Sequence, residues 1–311
     1  MTINHLLLKV NSITKKFTNI TAVNNLSFSI SRGQIFALLG PNGAGKTTVV
    51  RMLMDIIKPD SGTIEYYFPP NSSVNYKSTL LGYLPEERGL YQEIPIIKSL
   101  VYLGVIRGLD KTTAKDSAEK WLEKLELHDR RNDKLSTLSK GNQQKVQFIS
   151  SILHNPLFAI LDEPFSGFDP INQELFISII KELSQNGTTI LLSAHQMYLV
   201  EKIADKVLLL NNGSTIAFGT VESIKKEFSA EEIIFIKTTG KPEIDFLQNE
   251  KSIKTIELMQ NNEMKIIIKN QSSLSGLLNK ISSNFEISSI RTENISLHEI
   301  FIELVKKNQE E

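Results

Sequence analysis

The sequence predicts an α/β protein whose central sheet is mostly parallel. Three short, largely apolar runs, at 34–40, 157–164 and 188–195, have the pattern of strands buried on both faces. Segments with apolar residues at helical spacing lie between them, including 171–185. Such alternation is typical of a parallel sheet covered by helices. The block at about 90–155 contains only helical patterns, which predicts a helical subdomain inserted into the alternation.

The other elements of residues 1–220, the predicted first domain, follow from the same patterns. Strands are expected at 5–10 and 26–30, with 17–25 as a turn-rich link between them. A helix opens after the glycine-rich stretch at 40–48 and ends near 58–62, where proline and glycine occur. Further strands are expected at 80–86 and within 206–218, and helices at 96–108, 113–127, 141–153 and 197–204.

Residues 221–311 form a second predicted domain. Glycine becomes scarce there, while Asn, Ser, Ile and Lys dominate. The patterns follow the order βαββαβ plus a final helix, which predicts a small α+β accessory domain of the ferredoxin-like type. Its strands are expected at 232–238, 253–260, 264–269 and 286–292, and its helices at 242–250, 272–283 and 297–308.

Composition limits the classes of function. The 311 residues include 35 basic and 35 acidic side chains, so no bulk charge favours nucleic acid or an anionic membrane, and no nucleic-acid partner is expected. The absence of cysteine excludes disulfides and thiolate metal sites. No signal-peptide pattern opens the chain, and no apolar run approaches the ~18 residues that span a bilayer. Work at a membrane would therefore require another chain.

A phosphate-binding loop is predicted at "GPNGAGKTT". The stretch matches G-x-x-x-x-G-K-[ST], follows a buried strand and opens a helix. Its glycines let backbone N–H groups surround phosphate oxygens, Lys46 reaches the β- and γ-phosphates, and the Thr47 hydroxyl can ligate Mg²⁺. The alternative, a glycine-rich turn without a ligand, is disfavoured by this strand–loop–helix context. The predicted binding residues are Gly40, Pro41, Asn42, Gly43, Ala44, Gly45, Lys46, Thr47 and Thr48.

Three titratable residues end the other two buried runs. Asp162 and Glu163 follow the second run, where uncompensated charge would be costly. Parallel strands would place Asp162 near Mg²⁺ and Glu163 near the γ-phosphate, where it can polarise water. The alternative is that both cap a helix after Pro164. His195 ends the third run at the same edge and can donate to the γ-phosphate, although an isolated histidine is more often structural.

The predicted helix at 141–153 opens on a second anion cradle, "LSKGN". Ser139 and Gly141 supply a hydroxyl and free backbone N–H groups at a helix N-terminus. Because the loop at 40–48 already holds the phosphates, we interpret this cradle as binding the γ-phosphate of a nucleotide held by another subunit. The alternative is an ordinary serine N-cap, with glycine for close packing.

The order of these motifs resembles the ATP-binding subunits of ABC transporters. Five stretches within residues 5–220 carry the resemblance: "GPNGAGKTT" (40–48), "LGYLPEERGLY" (81–91), "LSKGNQQK" (138–145), "FAILDEPFSGFDP" (158–170) and "LLSAH" (191–195). "LPEERGLY" and the C-terminal extension resemble exporters with an accessory domain, including sodium-efflux types. The resemblance implies a P-loop NTPase fold, ATP and Mg²⁺ as ligands, and a cytoplasmic subunit, peripheral on the inner face of the cell membrane, that works with a separate permease.

The resemblance also implies residue roles. The implied catalytic residues are Glu163, His195 and Glu86. The implied Mg²⁺ ligands are Thr47, Asp162 and Glu86, with part of the coordination through water. Phe17 matches an aromatic residue that stacks on adenine, although it can equally belong to the core. In a head-to-tail dimer, homomeric or heteromeric, the partner's ATP would be contacted by Ser139, Gly141 and Asp169. Residues near 86–105 match the surface that receives a permease's cytoplasmic helix.

Two departures from the family pattern bear on rate. Lys140 and Asn142 replace the Gly and Gln of the usual LSGGQ, whereas Ser139 and Gly141 remain. Glu86 stands where the family usually has Gln, which adds negative charge near the γ-phosphate.

Three classes of function fit these motifs. The favoured class is a transporter ATPase in which ATP closes the dimer, hydrolysis reopens it and a permease moves the substrate, with export expected. A second class is a non-transport ABC ATPase acting on a macromolecular partner such as DNA or ribosomes. It is disfavoured because no heptads lie between the loop and the signature, and because the chain has a single cassette and no net charge. A P-loop kinase or GTPase, the third class, would need no signature loop.

Overall fold

The protein divides into two compact units. The computed structural model describes residues 5–68, 79–87, 89–228, 232–240, 252–268, 274–293 and 296–310, with the single residues 242, 244, 247 and 250. One unit spans Met1–Thr220 and the other spans Val221–Glu311. Each has an apolar core made only of its own residues.

The first unit contains nine strands and six α-helices among its described residues. Its strands are β1 (Leu6–Phe17), β2 (Ile20–Ser31), β3 (Ile35–Leu39), β4 (Ser61–Tyr66), β5 (Leu81–Leu84), β6 (Phe158–Asp162), β7 (Thr189–Ala194), β8 (Lys206–Asn211) and β9 (Ser214–Gly219). Its helices are α1 (Lys46–Leu53), α2 (Ile96–Ile106), α3 (Lys111–Lys124), α4 (Lys140–Ile152), α5 (Pro170–Gln185) and α6 (Met197–Glu201).

The predicted parallel sheet is confirmed. Its order is β5-β6-β7-β3-β8-β9, in which the first five strands are parallel and β9 is antiparallel. Every residue of β3, β6 and β7 is buried, as their apolar sequences predict. Asp162 pairs with Ser193, and Leu39 pairs with Ala194. The carboxyl ends of these three strands therefore meet at one edge of the sheet.

A second, antiparallel sheet of order β2-β1-β4 supplies much of the core that also contains α1. The strands predicted at 5–10 and 26–30 are confirmed in position but are longer than predicted, and the link predicted at 17–25 is wrong. β1 and β2 form one long hairpin in which only Thr18 and Asn19 turn. Register shifts interrupt their pairing, and Ser12 and Asn25 have positive φ. These bulges break the alternation of apolar and polar residues that identifies a strand.

The helix after the glycine-rich loop ends earlier than predicted. α1 stops at Leu53 rather than near 58–62, because Asp55 has φ +60° and turns the chain. The apolar residues Ile56 and Ile57 continue the helical pattern beyond this turn. β4 (Ser61–Tyr66), which the sequence did not predict, begins within the stretch assigned to the helix stop. Packing of Ile64 and Tyr66 against the core explains why this polar stretch is extended.

The helical block follows β5 and contains α2, α3 and α4. Asp110 caps α3 by accepting hydrogen bonds from the backbone N–H groups of Thr112 and Thr113, both at 3.0 Å. Short 3₁₀ turns at His128–Arg130 and Leu135–Thr137 lead to α4. β5 lies so close to α4 that a Cβ atom added to Gly82 would approach the backbone oxygen of Ser151 to 2.2 Å.

The second unit is a four-stranded antiparallel sheet with helices. It contains α7 (Val221–Phe228), β10 (Glu232–Thr238), β11 (Ile253–Leu258), β12 (Glu263–Ile268), α8 (Leu274–Asn284), β13 (Ile287–Glu293) and α9 (Leu297–Glu310). The order β11-β12-β10-β13 places β12 between the two strands joined by the first crossover, as in a ferredoxin-like split βαβ. The helix predicted at 242–250 lies mostly outside the described residues.

None of the helices in the described parts of the chain combines the length and the apolar character needed to cross a membrane. The longest of them, α5, has 16 residues. A transmembrane helix needs about 20 consecutive, mostly apolar residues.

Because each unit has its own core, we expect a variant ending at Thr220 to fold without the rest of the chain. Circular dichroism and thermal unfolding of 1–220 and of the full chain are the measurement. A single cooperative transition is expected for 1–220. Loss of cooperative unfolding in 1–220 would show that Val221–Glu311 is part of the first unit's core.

Candidate active site

A cavity of about 660 Å³ opens at the carboxyl edge of the central sheet. This volume is within the range of small-molecule sites, roughly 300–1,000 Å³. The cavity brings together the phosphate-loop residues and the predicted carboxylates Glu86, Asp162 and Glu163. The lining residues are Asn19, Ile20, Thr21, Ala22, Asn42, Gly43, Gly45, Lys46, Thr47, Thr48, Glu86, Asp162, Glu163 and Asn212.

The glycine-rich loop takes a backbone path that other residues cannot follow. Gly45, the residue before α1, has φ +103°, and an added Cβ would lie 2.3 Å from the backbone oxygen of Ala22. Gly43 has φ +81° and faces open space. The loop therefore presents its backbone to the cavity on one side and packs against β2 on the other. Three predicted phosphate-binding residues, Gly40, Pro41 and Ala44, are absent from the lining.

Lys46 is held inside the loop. Its side-chain Nζ donates to the backbone oxygens of Gly40, at 2.8 Å, and Pro41, at 3.2 Å. Burial lowers the pKa of Lys46, whereas the nearby carboxylates of Glu163, Asp162 and Glu86 act to raise it. The ammonium group thus lies between the loop and the carboxylates, in reach of an anion that enters the cavity.

Asp162 is nearly fully buried, and only one of its two carboxylate oxygens has a hydrogen-bond partner. Ser193 on β7 donates its hydroxyl to Oδ1, whereas Oδ2 has no hydrogen-bond partner. Burial raises the pKa of Asp162; the Ser193 hydrogen bond opposes this shift, and the charges of Glu86 and Glu163 add to it. A buried carboxylate oxygen without a donor suits a divalent cation.

The donor set fits Mg²⁺ in particular. Asp162, Glu86 and Thr47, whose side chains all carry oxygen, line the cavity. Among the described residues no cluster of three or more His, Asp or Glu side chains forms a metal cage. Mg²⁺ commonly takes only one or two protein carboxylates and completes its shell with phosphate oxygens and water.

Glu163 and His195 form a pair at the edge of the cavity. Oε2 of Glu163 lies 2.9 Å from Nδ1 of His195, and the two side chains are 11% and 50% exposed. The backbone of Glu163 has φ +50°, and its N–H donates to the oxygen of Ser193 at 3.0 Å. A left-handed glutamate is strained, and such strain concentrates at functional sites. His195 reaches the cavity through Glu163, since it is not itself a lining residue.

The structure contradicts the alternative that Asp162 and Glu163 cap a helix after Pro164. α5 begins only at Pro170, and Asp169 is its N-cap. The Asp169 carboxylate accepts from the N–H of Asn172 at 2.8 Å.

The three residues assigned to a second subunit's nucleotide lie away from this chain's own cavity. Ser139 is the exposed N-cap of α4 and accepts from the N–H of Asn142 at 3.3 Å. An added Cβ on Gly141 would make only ordinary contact, 3.5 Å from the oxygen of Gly167. Ser139, Gly141 and Asp169 are all absent from the cavity lining.

The residue predicted to stack on adenine, Phe17, does not line the cavity. Phe17 is 46% exposed and lies under the Lys15 ammonium group. Its cross-strand neighbour Ile20 lines the cavity instead, together with Asn212 in the β8–β9 turn. Sequence reasoning missed Ile20 because the start of β2 was assigned to a turn-rich link, and it missed Asn212 because only tertiary packing brings the β8–β9 turn to the cavity.

Comparison with known proteins agrees with this fold and site. The family model for the ABC transporter domain matches residues 23–166, and the model "ATP-binding protein DrrA1-3-like, C-terminal domain" matches residues 219–305. The ABC transporter ATP-binding protein YhaQ of Bacillus subtilis is 37% identical over 300 residues, which cover 96% of this chain and 98% of YhaQ. The linearmycin resistance ATP-binding protein LnrL of the same organism is 31% identical over 236 residues, covering 75% and 76% of the two chains.

A solved structure of an ATP-binding subunit of an ABC transporter superimposes with a TM-score of 0.65 at 29% identity, covering 71% of this chain and 93% of that one. The chain therefore belongs to the family of ABC transporter ATP-binding proteins.

The raised pKa of Asp162 predicts a stabilising substitution. A carboxyl group whose pKa is raised by folding favours the folded state at a pH below its unfolded value, near 3.8, and loses that contribution as the pH rises through the folded pKa. Asp162→Asn keeps the shape and can accept from Ser193, but it has no charge to bury. We expect the variant to unfold at a higher temperature than the parent at neutral pH, with a difference that shrinks toward pH 4.

Thermal unfolding from pH 4 to pH 8 without nucleotide measures this difference. Asp129→Asn, at a fully exposed carboxylate, is the matched control and should show no such trend. An Asp162→Asn protein that is less stable than the parent at neutral pH would contradict the electrostatic explanation.

Proposed function

We propose that this chain binds MgATP in the cavity and hydrolyses it as the motor subunit of an ABC transporter. The observation that supports this best is that the ammonium group of the loop lysine lies close to a buried aspartate and to a glutamate paired with a histidine. Lys46, Asp162 and Glu163, from α1 and the end of β6, line one cavity, and His195, which follows β7, is paired with Glu163 at its edge. Phosphoryl transfer depends on such positioning and charge neutralisation more than on covalent chemistry.

Each lining group has a proposed task in binding. The triphosphate draws Lys46 away from the oxygens of Gly40 and Pro41, and the backbone N–H groups of the loop donate to phosphate oxygens. Thr47 and Asp162 hold Mg²⁺, with Glu86 acting partly through water. When bound, the metal neutralises phosphate charge and orients the transferred group.

Hydrolysis is assigned to Glu163. Its carboxylate accepts a proton from the attacking water, while His195 holds the carboxylate and donates toward the γ-phosphate. Glu86 faces the same space from the segment after β5 and can accept from the same water. Its negative charge is a reason to expect slower turnover than with Gln at this position.

Glu163→Gln is the direct test. The amide keeps the shape but cannot take up the proton, so we expect hydrolysis to fall by ~10²–10⁴-fold while ATP binding is retained. Phosphate release and equilibrium titration with labelled ATP measure the two properties.

Two further variants make the Glu163→Gln result interpretable. Glu174→Gln changes an exposed carboxylate that pairs with Lys202, and turnover should stay at the parental level. Lys46→Ala should instead abolish tight ATP binding, because it removes the cation at the phosphates. Parental turnover in Glu163→Gln would overturn the assignment of the base.

A second copy of an ATP-binding subunit completes the proposed site. Ser139 is exposed, and it lies with Gly141 at the N-terminus of a 13-residue helix. That cradle is available to a nucleotide in another protomer, in a head-to-tail dimer that is homomeric or heteromeric. ATP then holds the dimer closed, and hydrolysis releases it.

The double variant Ser139→Ala, Gly141→Asp tests the shared site. Since an added Cβ at Gly141 meets only ordinary contacts, the protomer should fold and bind ATP. The new carboxylate would repel the partner's γ-phosphate, so ATP-dependent dimerisation and turnover should both be lost. Light scattering with and without ATP gives the dimer fraction.

Gly276→Asp is the matched control for that double variant. Gly276 lies in the first turn of α8, with open space around it. This change should leave dimerisation intact. Parental ATPase activity in the Ser139→Ala, Gly141→Asp protein would exclude the shared site.

The permease is proposed to dock on the helical block. A groove of about 540 Å³ runs along α2 and α3, where it overlaps the stretch near 86–105. Apolar side chains form its floor, and lysines stand beside them, an arrangement that suits a short amphipathic helix with acidic residues. The groove is lined by Ile97, Lys98, Val101, Tyr102, Val105, Lys111 and Lys115. Docking there would place the chain on the inner face of the cell membrane.

Export is the proposed direction of transport. LnrL, a relative that covers most of this chain, is named for linearmycin resistance. The C-terminal unit is similar to the C-terminal domain of DrrA1-3-like ATP-binding proteins, so the proposal extends to a chain that carries this accessory domain.

A further inference from the structure

One buried amide joins α4 to the segment that carries Glu86. Gln147 lies in the middle of α4 and is only 3% exposed. Its Nε2 donates to the backbone oxygen of Pro85 at 3.1 Å and to that of Glu87 at 3.0 Å. These two residues are the immediate neighbours of Glu86.

This contact is well suited to hold a short segment in shape. A side-chain amide NH₂ group has two hydrogens, which here match two carbonyl acceptors. The acceptors lie on either side of Glu86, so the amide spans the peptide units that orient its carboxylate. Removal of the donor would leave two partly buried carbonyls without it, which carries the cost of unmade hydrogen bonds.

The strand before Glu86 is attached to the same helix. The Nε2 atom of His154, which follows α4, lies 3.1 Å from the backbone oxygen of Leu81 at the start of β5. Gly82 packs directly on the backbone of Ser151, where even a methyl group would clash. β5 and the Glu86 segment are therefore both attached to α4, and β5 is also paired with β6 in the central sheet.

The same helix begins at the proposed contact with the partner's nucleotide. Gln147 lies eight residues after Ser139, which corresponds to roughly 12 Å along a helix at 1.5 Å per residue. A helix of this length behaves as a rigid rod. A displacement of Ser139 would therefore be transmitted to the segment around Glu86.

We propose that Gln147 is a positioning residue: it holds Glu86 at the cavity and couples Glu86 to the position of the Ser139 cradle. Gln147 is remote from the nucleotide and acts only through Glu86. The proposal rests on the ATPase function proposed above and adds a mechanical link between the two nucleotide sites of the dimer.

Hydrogen exchange on the nucleotide-free full chain tests directly whether the Gln147 hydrogen bonds hold the segment around Glu86. Gln147→Met keeps the length of the side chain without a donor, and Gln147→Glu keeps its shape with acceptors only. Both should speed exchange in the peptide that covers Leu84–Glu87. The control Ser117→Ala removes a hydrogen bond between α3 and α4, from the Ser117 hydroxyl to the oxygen of Leu153. It should leave that peptide unchanged. Unchanged exchange in both Gln147 variants, or an effect of Met alone, would overturn the proposal.

Kinetics then separate positioning from general destabilisation. Gln147→Met should lower kcat by roughly tenfold, the effect of about 1.4 kcal/mol at the barrier, while the Kd for Mg²⁺-free ATP stays within about twofold. In a Glu86→Ala background, Gln147→Met should have almost no further effect, because the group through which it acts is gone. Independent, multiplicative losses in the double variant would overturn the proposal. A parent chain without ATPase activity would instead remove the proposed function, and hydrogen exchange would still decide whether Gln147 holds the segment.

Discussion

The site depends on an imbalance of charge at the edge of the parallel sheet. One ammonium group, Lys46, faces the three carboxylates Glu86, Asp162 and Glu163. Burial works against both signs: it lowers the pKa of Lys46 and raises that of Asp162. A triphosphate would add more negative charge to this space, so a cation and backbone donors would strengthen its binding. The loop supplies the donors, and the unpartnered oxygen of Asp162 is the natural position for the cation.

Ser193 gives the two carboxylates their different environments. Its hydroxyl donates to Asp162, whereas its backbone oxygen accepts from the N–H of Glu163. One strand residue therefore keeps Asp162 buried behind β7 and turns Glu163 outward into a left-handed conformation beside His195. Because the chain changes direction between these neighbouring residues, they can have the separate tasks proposed above, as a metal ligand and as a base. The strain at Glu163 and the burial of Asp162 are costs to stability, of the kind that functional sites commonly carry.

The sequence predicted well those parts of the fold in which backbone conformation or burial permits only one type of residue. Gly45 is required both by its φ and by the approach of Ala22, and the apolar runs of β3 and β6 suit only buried strands. The hairpin of β1 and β2 was underestimated because bulges disrupt its alternation. Ile20 and Asn212 were missed because tertiary packing alone brings them to the cavity. Gln147 was missed for another reason: a polar residue between apolar ones on a helix reads as solvent-facing, and its acceptors belong to a segment 60 residues away.

The N-terminus of α4 shows why Ser139 and Gly141, small residues with hydrogen-bond donors, open a helix that has a buried face. Ser139 already satisfies a helix N–H as an ordinary cap, and Gly141 packs near Phe168 without strain. The structure thus confirms the serine N-cap of the alternative interpretation, but close packing does not require glycine at 141, because an added Cβ would make only ordinary contacts. The same exposed N-terminus that needs a cap in one protomer can bind an anion from another. From that N-terminus the helix runs inward to Gln147 and β5. In the proposed mechanism, anion binding at the N-terminus would therefore influence the position of Glu86 at the chain's own cavity.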